Sequence, residues 1–306
     1  MAAIEPVYDP KATSLPVLRY LVAVAEYRHF GRAAAACGVS QPTLSAQLAA
    51  WERRMGISVF ERGPRGALAT PDGERVIAAA RAALAALRAV EEAAGGGAGP
   101  LHGPVRLGVI PTVAPDALPW LARGLERELP GLPMPVREAT TAELGALLDA
   151  GGIDVALLAL LPGMDGMPLW HEPFVAALPR GHRLAARKVL DAADLAGDDL
   201  LLLEEGHCLR GQALALCGSR GAAAGAYRAT SLPTLIRLVG AGMGITVLPA
   251  LAAQNAGGDV VCRPLAGEPT RTIALRWRSA DPRAEDYRRL GLAMRKAAPR
   301  PPLRLA

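Results

Sequence analysis

Apolar residues at Leu15, Leu18, Leu21, Val22 and Ala25 recur every three to four positions, so residues 15–28 read as an amphipathic helix. An alanine-rich second helix is expected over 31–36, followed by the turn Cys37-Gly38-Val39. Ser40 can cap a third helix and Pro42 is tolerated in its first turn; that helix runs to about Met55, where Gly56 stops it. Leu44 and Leu48 should point back into the module. Two short apolar runs around Gly63-Pro64-Arg65-Gly66 predict a hairpin, or wing, over 59–70. From Pro71 to Ala94 a stripe of Val76, Ile77, Ala80, Leu84, Leu87 and Val90 marks one long helix, and Gly95–Pro100 ends it with linker composition. A single exposed helix of that length is marginal in water, so the stripe is expected to pack on a second copy of the chain.

The pattern changes after residue 103. Short β-rich runs at 105–110, 134–137, 155–160, 174–178, 200–203, 245–248 and 272–277 alternate with helical patterns near 116–129, 141–150, 231–241 and 283–297. Such alternation implies α/β architecture. The expected organisation is a disordered leader (1–13), a module of three helices and a wing (14–70), a long dimerisation helix (71–94), a hinge (95–102) and an α/β domain (103–306). Two groups of strands divide that domain into subdomain I (103–164 with 270–306) and subdomain II (165–269), the last strand and helix returning to the first.

Composition narrows the choice. No apolar run approaches the roughly 18–20 residues that span a bilayer, and no secretion signal opens the chain, so a cytoplasmic protein is expected. Net charge is +5; between Arg19 and Arg65 seven arginines face three glutamates, an excess of +4 in one short stretch. That excess and the order cap, helix, wing, long helix point to a module that lays one helix in the major groove. Gln41, Thr43 and Ser45, at the helix start with Ser40 and Pro42, can reach bases or phosphates; Arg32, Arg53, Arg62 and Arg65 suit the backbone or the minor groove. The plain alternative is a solvated helix with ordinary surface arginines.

Four cysteines are too few for a disulfide framework, which favours a regulatory or catalytic thiol. Cys208 stands between His207 and Arg210, both able to stabilise a thiolate, and Cys217 follows nine positions later. If the segment is helical, nine residues span roughly 13 Å. A disulfide needs Cα atoms about 4.4–6.8 Å apart, so the pair bonds only if the backbone between is rebuilt. Cys37 reads as a small core residue and Cys262 as a strand residue. His102, His171 and His182 are scattered and there is no Cys-x-x-Cys, so no metal site and no cofactor is expected.

The run Ala33-Ala-Ala-Ala-Cys-Gly-Val-Ser-Gln-Pro-Thr-Leu-Ser45, with Phe60-Glu-Arg62 and Thr70-Pro-Asp-Gly73, resembles the DNA-binding module of LysR-type transcriptional regulators. Gly108–Pro115, Glu204-Glu-Gly-His-Cys-Leu-Arg210 with Cys217, and Ala229–Ser231 leading to Gly242–Pro249 resemble the OxyR peroxide-sensing branch. The resemblance implies a winged helix-turn-helix and an effector domain of two Rossmann-like subdomains, similar to periplasmic binding proteins. It also implies a dimer of dimers on promoter DNA. It makes Cys208 the peroxidatic thiol and Cys217 the resolving one, and it puts Thr112, Thr141 and Arg271 near the peroxide pocket with His207 and Arg210. Expected partners are promoter DNA, further copies of the chain, hydrogen peroxide as signal and, less directly, RNA polymerase, with no membrane. Three alternatives stay open: a regulator answering to an organic effector in the inter-subdomain cleft, a thiol peroxidase, and a solute-binding protein.

Overall fold

The computed structural model describes residues 13–63, 66–94, 101, 103–217, 228–298 and 301–306; the leader up to residue 12, Pro64 and Arg65 of the wing, and nearly all of the 95–102 hinge lie outside them. The chain divides into two units, one holding residues up to Gly97 and one built from Ala98–Leu148 and Ile153–Ala306.

Capping residues set the helices of the first unit. Helix α1 (Leu15–Tyr27) ends where Arg28 turns to φ 48° and its N–H bonds to the Val24 carbonyl. Helix α2 (Phe30–Cys37) starts a residue earlier than its alanines suggest, because the His29 ring accepts from the N–H groups of Gly31 and Arg32 at 3.1 and 3.3 Å. Helix α3 (Gln41–Met55) is capped by Ser40, whose hydroxyl accepts from Thr43 N–H at 3.3 Å, and stops at Gly56, φ 69°. Leu21, Val24, Ala33, Leu44 and Leu48 fill the core between the three helices. Cys37 sits half-buried at its edge rather than inside it.

The wing pairs β1 (Phe60–Gly63) with β2 (Gly66–Ala69), Phe60 opposite Ala69. Ala67 N–H bonds to the Arg28 carbonyl at 2.9 Å, and a Cβ on Gly66 would lie 2.3 Å from that same oxygen, so only glycine fits. The Glu52 carboxylate ties α3 to the wing by accepting from Val59 N–H at 2.7 Å. The start of the stripe on helix α4 (Pro71–Ala94), expected to pack on a second copy of the chain, packs instead within the module: Ile77 and Ala80 are buried in its own core. Only the later part of the stripe is left open, with Val90 64% exposed.

The second unit begins with two parallel β-α-β steps. Strand β3 (Leu107–Val109) leads through α5 (Ala114–Glu128) to β4 (Val136–Glu138), and α6 (Thr141–Asp149) leads on to β5 (Val155–Ala159). Strand β3 lies between the other two, parallel to both. Next comes β6 (Met167–Pro179), thirteen residues long. After a 3-10 turn at Ala192–Leu195 follow β7 (Leu202–Leu203), α7 (Cys208–Cys217), β8 (Arg228–Ala229), α8 (Leu232–Gly240), β9 (Thr246–Pro249) and α9 (Ala250–Ala253). The unit closes with β10 (Val260–Pro264), β11 (Thr270–Arg276), α10 (Ala284–Ala297) and β12 (Arg304–Leu305).

The main sheet runs β10-β6-β11-β5-β3-β4, and β6 links two cores. Its first half pairs antiparallel with β11, its second with β9 and β10. One core lies around β3, β5, α5, α6 and α10; the other gathers the second half of β6, β7, α8 and β9. The strand expected at 174–178 is thus only the end of a longer one. Pro168, His171, Glu172 and Pro173 break the apolar pattern that marks a strand, and the chain stays extended there because β11 pairs with it. Strand β10 was likewise legible only as the surroundings of Cys262.

Candidate functional site

Two surfaces carry chemistry. On α3, Gln41, Pro42 and Thr43 are exposed at the helix start and Ser45 is half-buried. Ser40 is occupied by its cap, its Oγ also 2.8 Å from Thr43 Oγ1. Arg53 is exposed near the other end of that helix and Arg32 is exposed on α2. Arg62 lies in β1, and Arg65 falls outside the described residues. Gln47, one turn beyond Thr43 and equally exposed, extends the polar edge of α3; the i, i+4 spacing was the signal that identifies it.

The second surface is built around α7, which starts at Cys208 and ends at Cys217. Ten helical residues put nine rises, about 13 Å, between the two Cα atoms. Both cysteines are free thiols, and both are buried, 9% and 8% exposed, rather than set among solvated charges as their neighbours suggest. The inward face of α7 carries Cys208, Leu209, Ala213 and Cys217. Cys208 belongs to the first core and Cys217 to the second, so the helix spans two separately packed clusters. Burial pushes the Cys217 thiol up from its usual value. Burial also raises Cys37, against the opposing pull of Arg19, and Cys262, against that of Arg263.

Cys208 opens α7, where unpaired backbone N–H groups point out of the helix and favour negative charge. His207 and Arg210 are half-buried beside it in sequence. The Arg210 guanidinium turns to β7, donating to the Leu203 carbonyl at 3.4 Å. His207 lies near the start of α6: hydrogen bonds from the Thr140 N–H and hydroxyl hold the Glu143 carboxyl below its usual value, with Arg137 and His207 adding to the effect. Gly206, φ 95°, packs by Thr140 as well. In the same turn Thr141 is 6% exposed, its hydroxyl without a hydrogen-bond partner among the described residues.

Thr112 and Arg271 are brought together from 159 positions apart. Arg271 Nη1 donates to Thr112 Oγ1 and Nη2 to the Thr112 carbonyl, each at 2.9 Å. The same guanidinium grips Glu172 through Nε and Nη2 at 2.9 and 2.8 Å, and Glu172 Oε1 accepts from Leu251 N–H at 3.0 Å. Arginine and glutamate are 1% and 0% exposed. Removing either partner from such a pair strands a charge, while keeping both fixes the loop after β3 against β6, β11 and α9. Thr112 Oγ1 accepts from Arg271 and keeps its own proton to donate. Glu172 was absent from the sequence-based candidates, since nothing local marks a strand carboxylate whose partner lies 99 positions away.

Among the described residues no group of three or more His, Cys, Asp or Glu side chains could hold a metal ion. No described helix is long and apolar enough to cross a membrane.

A winged helix-turn-helix joined to an α/β domain with two cores is the build of a DNA-binding regulator with a signal-receiving domain. Residues 15–74 match the bacterial regulatory helix-turn-helix of the lysR family, and residues 98–299 match the LysR substrate binding domain. The DNA-binding transcriptional dual regulator OxyR of Escherichia coli K12 is 42% identical over 285 residues, covering 91% of this chain and 93% of that protein. A cysteine-to-aspartate variant of full-length OxyR from Pseudomonas aeruginosa superposes with TM-score 0.75 at 34% identity, covering 92% of this chain and 95% of that one. The hydrogen peroxide-bound cysteine-to-serine variant of Corynebacterium glutamicum OxyR gives TM-score 0.61 at 36% identity, covering 95% and 94%. The chain belongs to the LysR family of transcriptional regulators, in its OxyR branch.

Proposed function

We propose that the chain is a peroxide-responsive transcription regulator whose switch is a reversible Cys208–Cys217 disulfide. The observation that carries this reading is the placement of the two free thiols at opposite ends of one helix, each in a different core. The Cys208 thiolate attacks one peroxide oxygen; the O–O bond breaks, Cys208 becomes a sulfenic acid, and the departing hydroxide takes up a proton as water. The Cys217 sulfur then displaces hydroxide from the sulfenic sulfur, which leaves as a second water once the thiol proton is transferred. Two thiols are oxidised and one peroxide is reduced. Thr112 and Thr141 supply hydroxyls to the peroxide oxygens, His207 and Arg210 supply donors or positive charge, and Arg271 acts by holding Thr112 in place.

The second step requires α7 to unwind, because its ends cannot meet as a helix. Leu209 and Ala213 then leave the second core, and the surface of the effector domain changes. The proposed organisation keeps the helix-turn-helix at 14–70, the dimerisation helix at 71–94 with its open Val90 end, the hinge at 95–102, and subdomain I at 103–164 with 270–306 around subdomain II at 165–269. Two dimers on promoter DNA would re-space when the effector domains repack, in the cytoplasm and within reach of RNA polymerase. Gln41, Thr43 and Ser45 read bases or phosphates there, and Arg32, Arg53, Arg62 and Arg65 hold the DNA backbone or minor groove. Treating the protein with substoichiometric peroxide and mapping its peptides should give a linked Cys208–Cys217 pair in the native chain and none in Cys208→Ser. A native protein that stays unlinked sinks the proposal.

A further inference from the structure

A cavity of about 600 Å³ opens on the far side of the first core, between the start of β6, the end of β11 and α10. It is separate from the thiol site: along β11, Arg271 and Arg276 are five residues, roughly 17 Å, apart. The pairing of β11 with β6 also shifts register there, Ile273 facing Trp170 and Ala274 facing Pro168, so the extra residue, Leu169, bulges from β6 at the cavity end.

Its lining is apolar with a few charges. Trp277, Met167 and Leu292 form the walls. Trp277 is steadied by Tyr287 behind it, ring centres 6.0 Å apart. Met167 lies against Gly291 of α10; a Cβ there would come within 2.6 Å of its sulfur, so the glycine lets the thioether seat under the cavity. Leu292, 52% exposed, forms an open rim. Glu285 is matched by Arg288 at 3.1 Å. Arg276 is different. It is half-buried at the end of β11, and its guanidinium makes no hydrogen bond or ion pair among the described residues. Asp165, also in the lining, is exposed, where solvent screens its charge.

An apolar chamber of this volume with one unsatisfied, partly desolvated guanidinium is the composition of a small-molecule site rather than of a packing defect. We infer that this cavity binds a small organic carboxylate, its apolar body between Trp277, Met167 and Leu292 and its carboxylate on Arg276. Guanidinium forks pair with carboxylates in two parallel hydrogen bonds, so charge and geometry both select that head group. The site is independent of the thiols and gives the chain a second chemical input.

The test uses the full chain with octanoate and phenylacetate as probes, followed by ligand-observed NMR and calorimetry. Saturable binding of either probe below about 10 mM is expected, with octanamide and phenylacetamide at least tenfold weaker. Arg276→Gln should weaken carboxylate binding about tenfold or more, the loss typical of a hydrogen bond to a charged group. Leu292→Glu, at an exposed position that does not endanger folding, should weaken it similarly by repulsion at the rim. Absence of saturation by both probes, equal binding of the amides, or unchanged binding in both variants overturns the inference.

Discussion

Gly211 lies inside α7, and a Cβ built on it meets nothing within 4 Å. Gly211→Ala therefore adds no clash and removes the backbone freedom that glycine brings to a helix. The substitution should stabilise helical α7 by about 0.5–1 kcal/mol. If forming the disulfide unwinds this helix, the gain applies to the dithiol state alone. The reduction potential should then become less negative by roughly 10–20 mV, since about 30 mV corresponds to 1.4 kcal/mol for a two-electron couple. Conversion of sulfenic acid to disulfide should slow by about two- to fivefold, if opening precedes it. Leu209→Ala is the opposite perturbation. Leu209 is 2% exposed in the second core, and its truncation removes about 2–5 kcal/mol from the helical state. Its potential should move by roughly 40–110 mV in the negative direction. The assay is equilibration in glutathione buffers of set ratio, quenching with acid, alkylation of free thiols and mass measurement of the 208–217 peptide. Shifts of the same sign in both variants, or none in Leu209→Ala, would refute the claim that α7 must unwind.

Two further outcomes follow from the structure. Arg271→Met leaves the Glu172 carboxylate buried without its cation, which should cost about 3–5 kcal/mol and lower the effector-domain melting temperature by roughly 6–20 °C in a thermal scan; an unchanged melt would mean the pair is not held in the folded state. On the DNA face, Gln41→Ala should lose about 1–3 kcal/mol of discrimination at one base pair, whereas Arg53→Ala should weaken all sequences alike and reduce the salt slope by about one. Fluorescence anisotropy on matched and mismatched operators separates the two, and a sequence-dependent loss in Arg53→Ala would contradict its assignment to the backbone.

Much was legible in the chain itself, because it depends on residues close in sequence. Ser40 and Gly56 bound α3, the period of the stripe gave α4, and nine positions between Cys208 and Cys217 fixed the distance between the thiols once the segment was helical. Alternating strands and helices after residue 103 gave the α/β class for the same reason. Local signals misled where a distant partner overrides them. The first half of β6, with its prolines, His171 and Glu172, is a strand only because β11 supplies hydrogen bonds to it from about a hundred residues away. Arg271, Glu172 and Thr112 are unremarkable apart and become one buried hub together. The burial of both thiols in separate cores, and the unpaired guanidinium at the rear cavity, were also decided only by packing. Sequence periodicity sets which face of an element is apolar; which charges meet, and which are left without a partner, depends on long-range approach that no local pattern records.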